Sequence, residues 1–196
     1  MPRFVFPQII PEFLVFRQSL VGVAILIGVL LYGSQKSANK SRQLIIYFTL
    51  SGNTKKAAEA LQQDTDADII RLRPKKAYPT TYDAAVKVAK KELATKTHPA
   101  IATAILNLEQ YKTIYVGFPT WWRQPPMIIH TLFDTVNFKN KTIVPFTTSM
   151  ESPISSSVPY LQKMADKDGA KLVKGIRYTN NNNLKRFLIT NDLITK

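Results

Sequence analysis

The sequence predicts an α/β domain: a parallel sheet with helices on both faces. Three observations carry that expectation. Apolar, β-branched runs recur at 44-LIIYF-48, 69-IIRLR-73, 113-TIYVGF-118, 142-TIVPF-146 and 172-LVKGIRY-178. Segments with helical spacing lie between them. The first, third and fourth runs are nearly continuous in apolar character, as strands buried on two sides should be. The second alternates Ile70 and Leu72 with Arg71 and Arg73, which suits a strand nearer an edge.

Ahead of these runs the composition differs. Residues 19–33 read SLVGVAILIGVLLYG without a charge, and extension back to Phe13 gives about the twenty residues a spanning helix needs. Arg17 could snorkel at one end and Tyr32 suits the other interface. We expect a membrane anchor over 1–33, a polar tether over 34–43 and the α/β domain over 44–196. A cleaved signal peptide is the rival, although LYGSQ is a poor cleavage site. Sidedness is undecided, with a lean to the extracytoplasmic face. Lys36, Lys40 and Arg42 point to a cytoplasmic domain, whereas a short signal-anchor would place it on the extracytoplasmic face.

Each expected helix has an apolar face. Ala57, Ala58 and Leu61 share one. Tyr82, Ala85, Val86, Ala89 and Leu93 form a longer stripe, and Val158, Leu161 and Ala165 a shorter one. Residues 125–136 put Met127, Leu132 and Phe133 inward, and Leu184, Phe187 and Leu188 suggest a last helix after 180-NNNN-183.

The 196 residues carry a formal charge of +14, which suits an acidic partner, an anionic membrane surface, a nucleic acid, or simply a solvated basic surface. Cysteine is absent, which excludes disulfides and thiolate chemistry. His98 and His130 read as ordinary surface or packing residues, so no metal ligand or catalytic residue is nominated.

Ligands of an open parallel sheet bind beyond the carboxyl ends of its strands. After the first strand comes 49-TLSGNT-54. Thr49, Ser51 and Thr54 offer hydroxyls, Gly52 permits a tight turn, and Asn53 or Thr54 opens a helix whose free N–H groups attract an anion. Taken alone, a plain N-cap turn accounts for these residue types. After the third strand, 117-GFPTWWRQPP-126 holds two adjacent tryptophans, suited either to stack on a planar ring or to plug the sheet end. After the fourth, 147-TTSMESPISSS-157 is again rich in hydroxyls. Together the three loops compose a phosphate grip, an aromatic plate and a third, polar wall.

These motifs, IIYFTLSGNTKK, AYPTTYDAAVKVAKKE, YVGFPTWW with the following prolines, and KTIVPFTTS, resemble the flavodoxin-like family, in particular its single-domain bacterial branch. The resemblance implies a five-stranded sheet in the order 2-1-3-4-5 with FMN as cofactor. It implies that Thr49, Ser51, Gly52, Asn53 and Thr54 wrap the FMN phosphate. Pro119, Thr120, Trp121 and Trp122 would border the ring, with one tryptophan stacked on it. Thr148, Ser149, Met150 and Glu151 would close the other side. The third loop departs from the family's usual glycine-rich pattern, and Arg123 stands where a small residue is usual. From residue 43 onward, 22 Lys and Arg face 12 Asp and Glu, whereas electron-carrying flavodoxins are commonly acidic. The expected function is therefore a membrane-tethered FMN protein, an electron carrier or oxidoreductase serving a redox partner protein or a small acceptor. A flavin-free binding or scaffolding module is the alternative. Nucleic-acid binding ranks last, for no recognition motif accompanies the charge.

Overall fold

A computed structural model describes residues 42–105 and 107–194 of the chain. The expected anchor over 1–33 lies outside them. No helix among the described residues is long and apolar enough to cross a membrane. The first strand already includes Arg42 and Gln43, the last two residues of the expected tether.

The elements are β1 (Arg42–Tyr47), α1 (Asn53–Thr65), β2 (Asp68–Arg71), α2 (Tyr82–Thr95), β3 (Tyr111–Pro119), α3 (Met127–Thr135), β4 (Thr142–Thr148), α4 (Val158–Asp168), β5 (Lys171–Leu172), β6 (Ile176–Arg177) and α5 (Asn181–Thr190). The strands pair in parallel in the order β2-β1-β3-β4-β5, with β6 also on β4. β2 stands at the edge, as its alternating pattern suggests.

Strand alternation divides the core in two. Leu44, Ile46, Ile114, Val116 and Ile143 face α3 and α4, meeting Ile128, Leu132 and Leu161. Ile45, Tyr47, Tyr115, Val144 and Phe146 face α1 and α5, meeting Ala57, Ala58, Leu61, Leu184 and Leu188. Met127, Leu132 and Phe133 are buried as the spacing predicts. Asn180, within the polar run, caps α5 by accepting a bond from the Asn183 amide (2.8 Å).

The fifth strand corrects the sequence reading. One run was expected over 172–178, but it is split into β5 and β6. The cause lies in β4. The carbonyls of Lys141, Ile143 and Thr147 accept bonds from Lys171, Val173 and Tyr178. Pro145 faces the same side and has no N–H to give. Between the paired segments, three residues (173–175) lie opposite two (144–145), which makes a bulge. A Cβ on Gly175 would lie 2.5 Å from the Pro145 carbonyl oxygen, so the chain passes there only as glycine.

A second correction concerns α2. Ala85 and Ala89 are buried, but Tyr82, assigned to the same inward stripe, is 80% exposed. It sits at the start of the helix, beside a cleft.

Candidate functional site at the carboxyl end of the sheet

The β1–α1 loop does not form the N-cap turn its residues suggest. Gly52 occupies the cap position at φ +94, and no side chain caps α1. Thr49 Oγ1 instead accepts a bond from the Gly52 amide (3.0 Å), which curls the loop. The Lys56 amide donates to the Gly52 carbonyl, and among the described residues the amides of Asn53, Thr54 and Lys55 have no acceptor. No acidic residue stands in the first turn. The positive end of the helix is therefore open to an anion. Lys55 does not neutralise anything there, since it pairs with Glu59 one turn on (3.5 Å).

Buried hydroxyls join the three strand ends. Thr54 Oγ1 and Thr148 Oγ1 share a hydrogen bond (2.8 Å). Thr147 Oγ1 donates to the Phe118 carbonyl and so accepts from Thr120 Oγ1 (2.7 Å). The Thr120 amide donates to the Thr148 carbonyl (3.0 Å). Thr49, Thr54 and Thr147 are all buried, so these bonds are shielded from competing water.

The paired tryptophans differ. Trp121 is locked edge-on between Phe48 and Tyr78, with ring centroids 5.6 Å from each. Tyr78 is itself fixed by its hydroxyl, which donates to Glu92 (2.7 Å), and burial pushes that phenol above its ordinary range. Trp122 is 44% exposed and lines a cavity of about 320 Å³ with Leu50, Tyr82 and Ala85. The chain turns here between Trp121 and Gln124, whose backbones exchange two hydrogen bonds. Both central residues, Trp122 (φ +47) and Arg123 (φ +64), are left-handed without being glycine. Such strain costs about 1–2 kcal/mol per residue and is found where geometry serves function. It holds the Trp122 ring out of the core.

The third loop is closed on itself and outward. Ser149 Oγ donates to the Ser152 carbonyl, and Arg177 Nη1 donates to the Met150 carbonyl (2.8 Å). The Met150 side chain is 95% exposed, and Glu151 is exposed too. Thus the structure brings together Thr49, Gly52, Thr54, Thr120, Thr148 and the tryptophans. Ser51 and Asn53 are exposed on the loop, Pro119 ends β3, and Met150 and Glu151 are exposed in the third loop.

Sequence reasoning missed the neighbours that complete the cleft: Leu50, Tyr78, Tyr82, Arg71 and Arg73. Leu50 at 40%, Tyr82 at 80% and Trp122 at 44% exposure leave three large side chains in solvent around one cavity, a pattern that marks a binding surface. Proximity of AYPTTY to the loop was the missing signal, and only the fold supplies it.

The histidines meet away from this cleft. The His98 and His130 rings lie tilted with centroids 5.2 Å apart, and Asp134 is bonded to His98 and Lys167. Burial, then the nearby His98, holds His130 down to about 4. Among the described residues no cluster of His, Asp and Glu could hold a metal.

Comparison with known proteins agrees with the geometry. No curated protein matches the chain. Among solved structures, a protein of Bacteroides eggerthii provisionally described as a flavoprotein is 29% identical with a TM-score of 0.69, covering 80% of this chain and 100% of its own. A similar one from Bacteroides uniformis is 28% identical with a TM-score of 0.68, covering 76% of this chain and 97% of its own. A Lactobacillus acidophilus flavoprotein in complex with FMN shares the fold at 24% identity and a TM-score of 0.63, over 70% of this chain and 93% of its own. The flavodoxin family model matches residues 42–189, the whole sheet and nearly all of its helices, and the chain belongs to that family.

Proposed function

We propose that this chain binds FMN at the carboxyl end of its sheet and passes electrons to a redox partner or reduces a small acceptor. The observation that carries the proposal is the uncapped N-terminus of α1. Its open amides, the loop hydroxyls and the glycine turn fit a phosphate dianion. The half-exposed Trp122 offers a flat apolar surface for the ring, and Trp121 fixes the loop from below. Thr148 ties the phosphate loop to the third wall, where Ser149, Met150 and Glu151 would border the ring's far side. When bound, the flavin supplies the redox chemistry, and the protein contributes binding, orientation and charge. The family of the chain and the FMN complex of the Lactobacillus protein support this reading.

Tethering belongs to the same proposal. The uncharged segment within 1–33 would hold the domain at a membrane, where the basic domain lies favourably against anionic lipid. Which face it occupies follows from protease accessibility in intact cells, the extracytoplasmic face predicting digestion. Cell fractionation that leaves the full chain in the soluble fraction would contradict the anchor.

FMN uptake by the full chain, followed by flavin absorbance and fluorescence quenching, tests the cofactor. One FMN per chain with quenching is expected. A folded protein that takes up none returns the flavin-free module, a reading favoured by the self-closed third loop.

A further inference from the structure

We propose that the groove on the α2 side of the Trp loop is a second ligand site, for a flat apolar molecule bearing a carboxylate that is received by Arg71 and Arg73. A cavity of about 530 Å³ lies between the end of β1, the end of β2 and the segment leading into α2. It shares Leu50, Tyr82 and Ala85 with the smaller cavity that Trp122 lines, so one groove runs from the arginines to the indole. Its size is within the range of small-molecule sites, about 300–1,000 Å³. No residue of the third loop lines either cavity. Thr49 and Ser51 of the first loop line the larger cavity and Thr120, Trp121 and Trp122 the smaller, so the groove adjoins the proposed flavin site on the α2 side of the indole.

The arginines give the groove its chemistry. Among the described residues neither has a carboxylate within ion-pair distance. Arg71 reaches only the Thr49 carbonyl at 3.5 Å, and its Nε is buried with no partner. A guanidinium with no carboxylate partner is free to pair with an anion that enters the cavity it lines. The backbone that carries the pair is also held in place. The Arg73 amide donates to Thr103 Oγ1 (2.8 Å), Thr103 Oγ1 donates to the Arg71 carbonyl (3.0 Å), and the Ala102 amide donates to the Arg73 carbonyl (2.7 Å). Planar guanidinium forks match a planar carboxylate. The rest of the groove is mainly apolar, with the Tyr82 ring standing in solvent beside Leu50. This favours a carboxylate on an aromatic body over a phosphate, which has the separate cradle at α1.

Calorimetric titration of the full-length protein with 2-naphthoate and with neutral naphthalene-2-carboxamide tests this, with and without FMN. The acid should bind about tenfold or more tightly than the amide. The advantage should vanish in R71Q/R73Q, with amide binding unchanged. Tyr82→Ala, at an exposed position, should weaken both probes and serves if the double variant fails to fold. Equal binding of the two probes, no binding of either, or an acid advantage that survives in R71Q/R73Q overturns the proposal. Mutual displacement of naphthoate and FMN also overturns it, since the groove would then be the flavin's own. Loss of FMN uptake with naphthoate binding intact tells against the flavin reading alone.

Discussion

Replacing Trp121 and Trp122 by alanine, one at a time, separates two roles that the sequence presents as a pair. Trp121 makes two edge-to-face contacts, with Phe48 and with Tyr78. Each such contact is worth roughly 0.5–1.5 kcal/mol, and losing the part-buried indole adds about 1–2 kcal/mol. Trp121→Ala should therefore destabilise the FMN-free protein by about 2–5 kcal/mol. Trp122 is 44% exposed and has no aromatic partner among the described residues, so its replacement should change stability by less than ~1 kcal/mol. Its effect should fall on the flavin. Stacking of an aromatic side chain on a planar base is worth about 1–3 kcal/mol, so Trp122→Ala should weaken FMN binding roughly 5- to 150-fold. Urea unfolding of both variants without FMN, followed by FMN titration, reads the two quantities separately. Equal destabilisation by the two replacements, or FMN affinity unmoved in Trp122→Ala, would refute the division.

Three other expectations follow from the same structure. A Cβ on Gly117 would fall 2.1 to 2.7 Å from three ring carbons of Phe146, so Gly117→Ala should cost about 1–3 kcal/mol, and Phe146→Leu in the same chain should recover much of it in urea unfolding. His130 is held at about 4 in the folded protein against 6.5 when free, so the unfolded chain takes up its proton first. Stability should fall as pH drops from about 6.5 towards 4, by at most ~3 kcal/mol and less for partial exposure, and His130→Gln should flatten that slope in unfolding midpoints measured across the range. The basic domain should favour added negative charge on a bound flavin, so salt should make its potential for the second electron more negative. Spectroelectrochemical titration at low and high ionic strength checks this, and a potential unmoved by salt counts against it.

Much of the architecture was legible because each central strand carries its own period. Leu44 to Phe48 and Ile114 to Phe118 alternate between two buried faces, which only a sheet covered on both sides can satisfy. The arginines of β2 marked its edge position. What the sequence hid were contacts that depend on two segments at once. Pro145 looked harmless in an apolar run, yet its missing N–H divides the neighbouring strand. Tyr82 fitted the stripe of α2 by spacing, but the helix begins at the rim of a cleft and the ring has no wall to meet. Thr49 and Thr54 read as N-cap residues; the hydroxyl of one turned to Gly52 and that of the other to Thr148, which left the helix end open. Nor could adjacent tryptophans be told apart until the turn at Trp122 and Arg123 was seen to hold one ring out of the core. His98 and His130, 32 residues apart, meet only because the segment after α2 returns to α3.

Side-by-side titration of the purified chain with FMN and with riboflavin bears most directly on the role of the α1 N-terminus. The two ligands differ only in the phosphate that the open amides would hold. Two charge-assisted hydrogen bonds of about 1.5–3 kcal/mol each imply that FMN binds at least ~100-fold more tightly. Equal affinity for the two would mean that the cradle does not engage the phosphate, and the assignment of Thr49–Thr54 would be wrong.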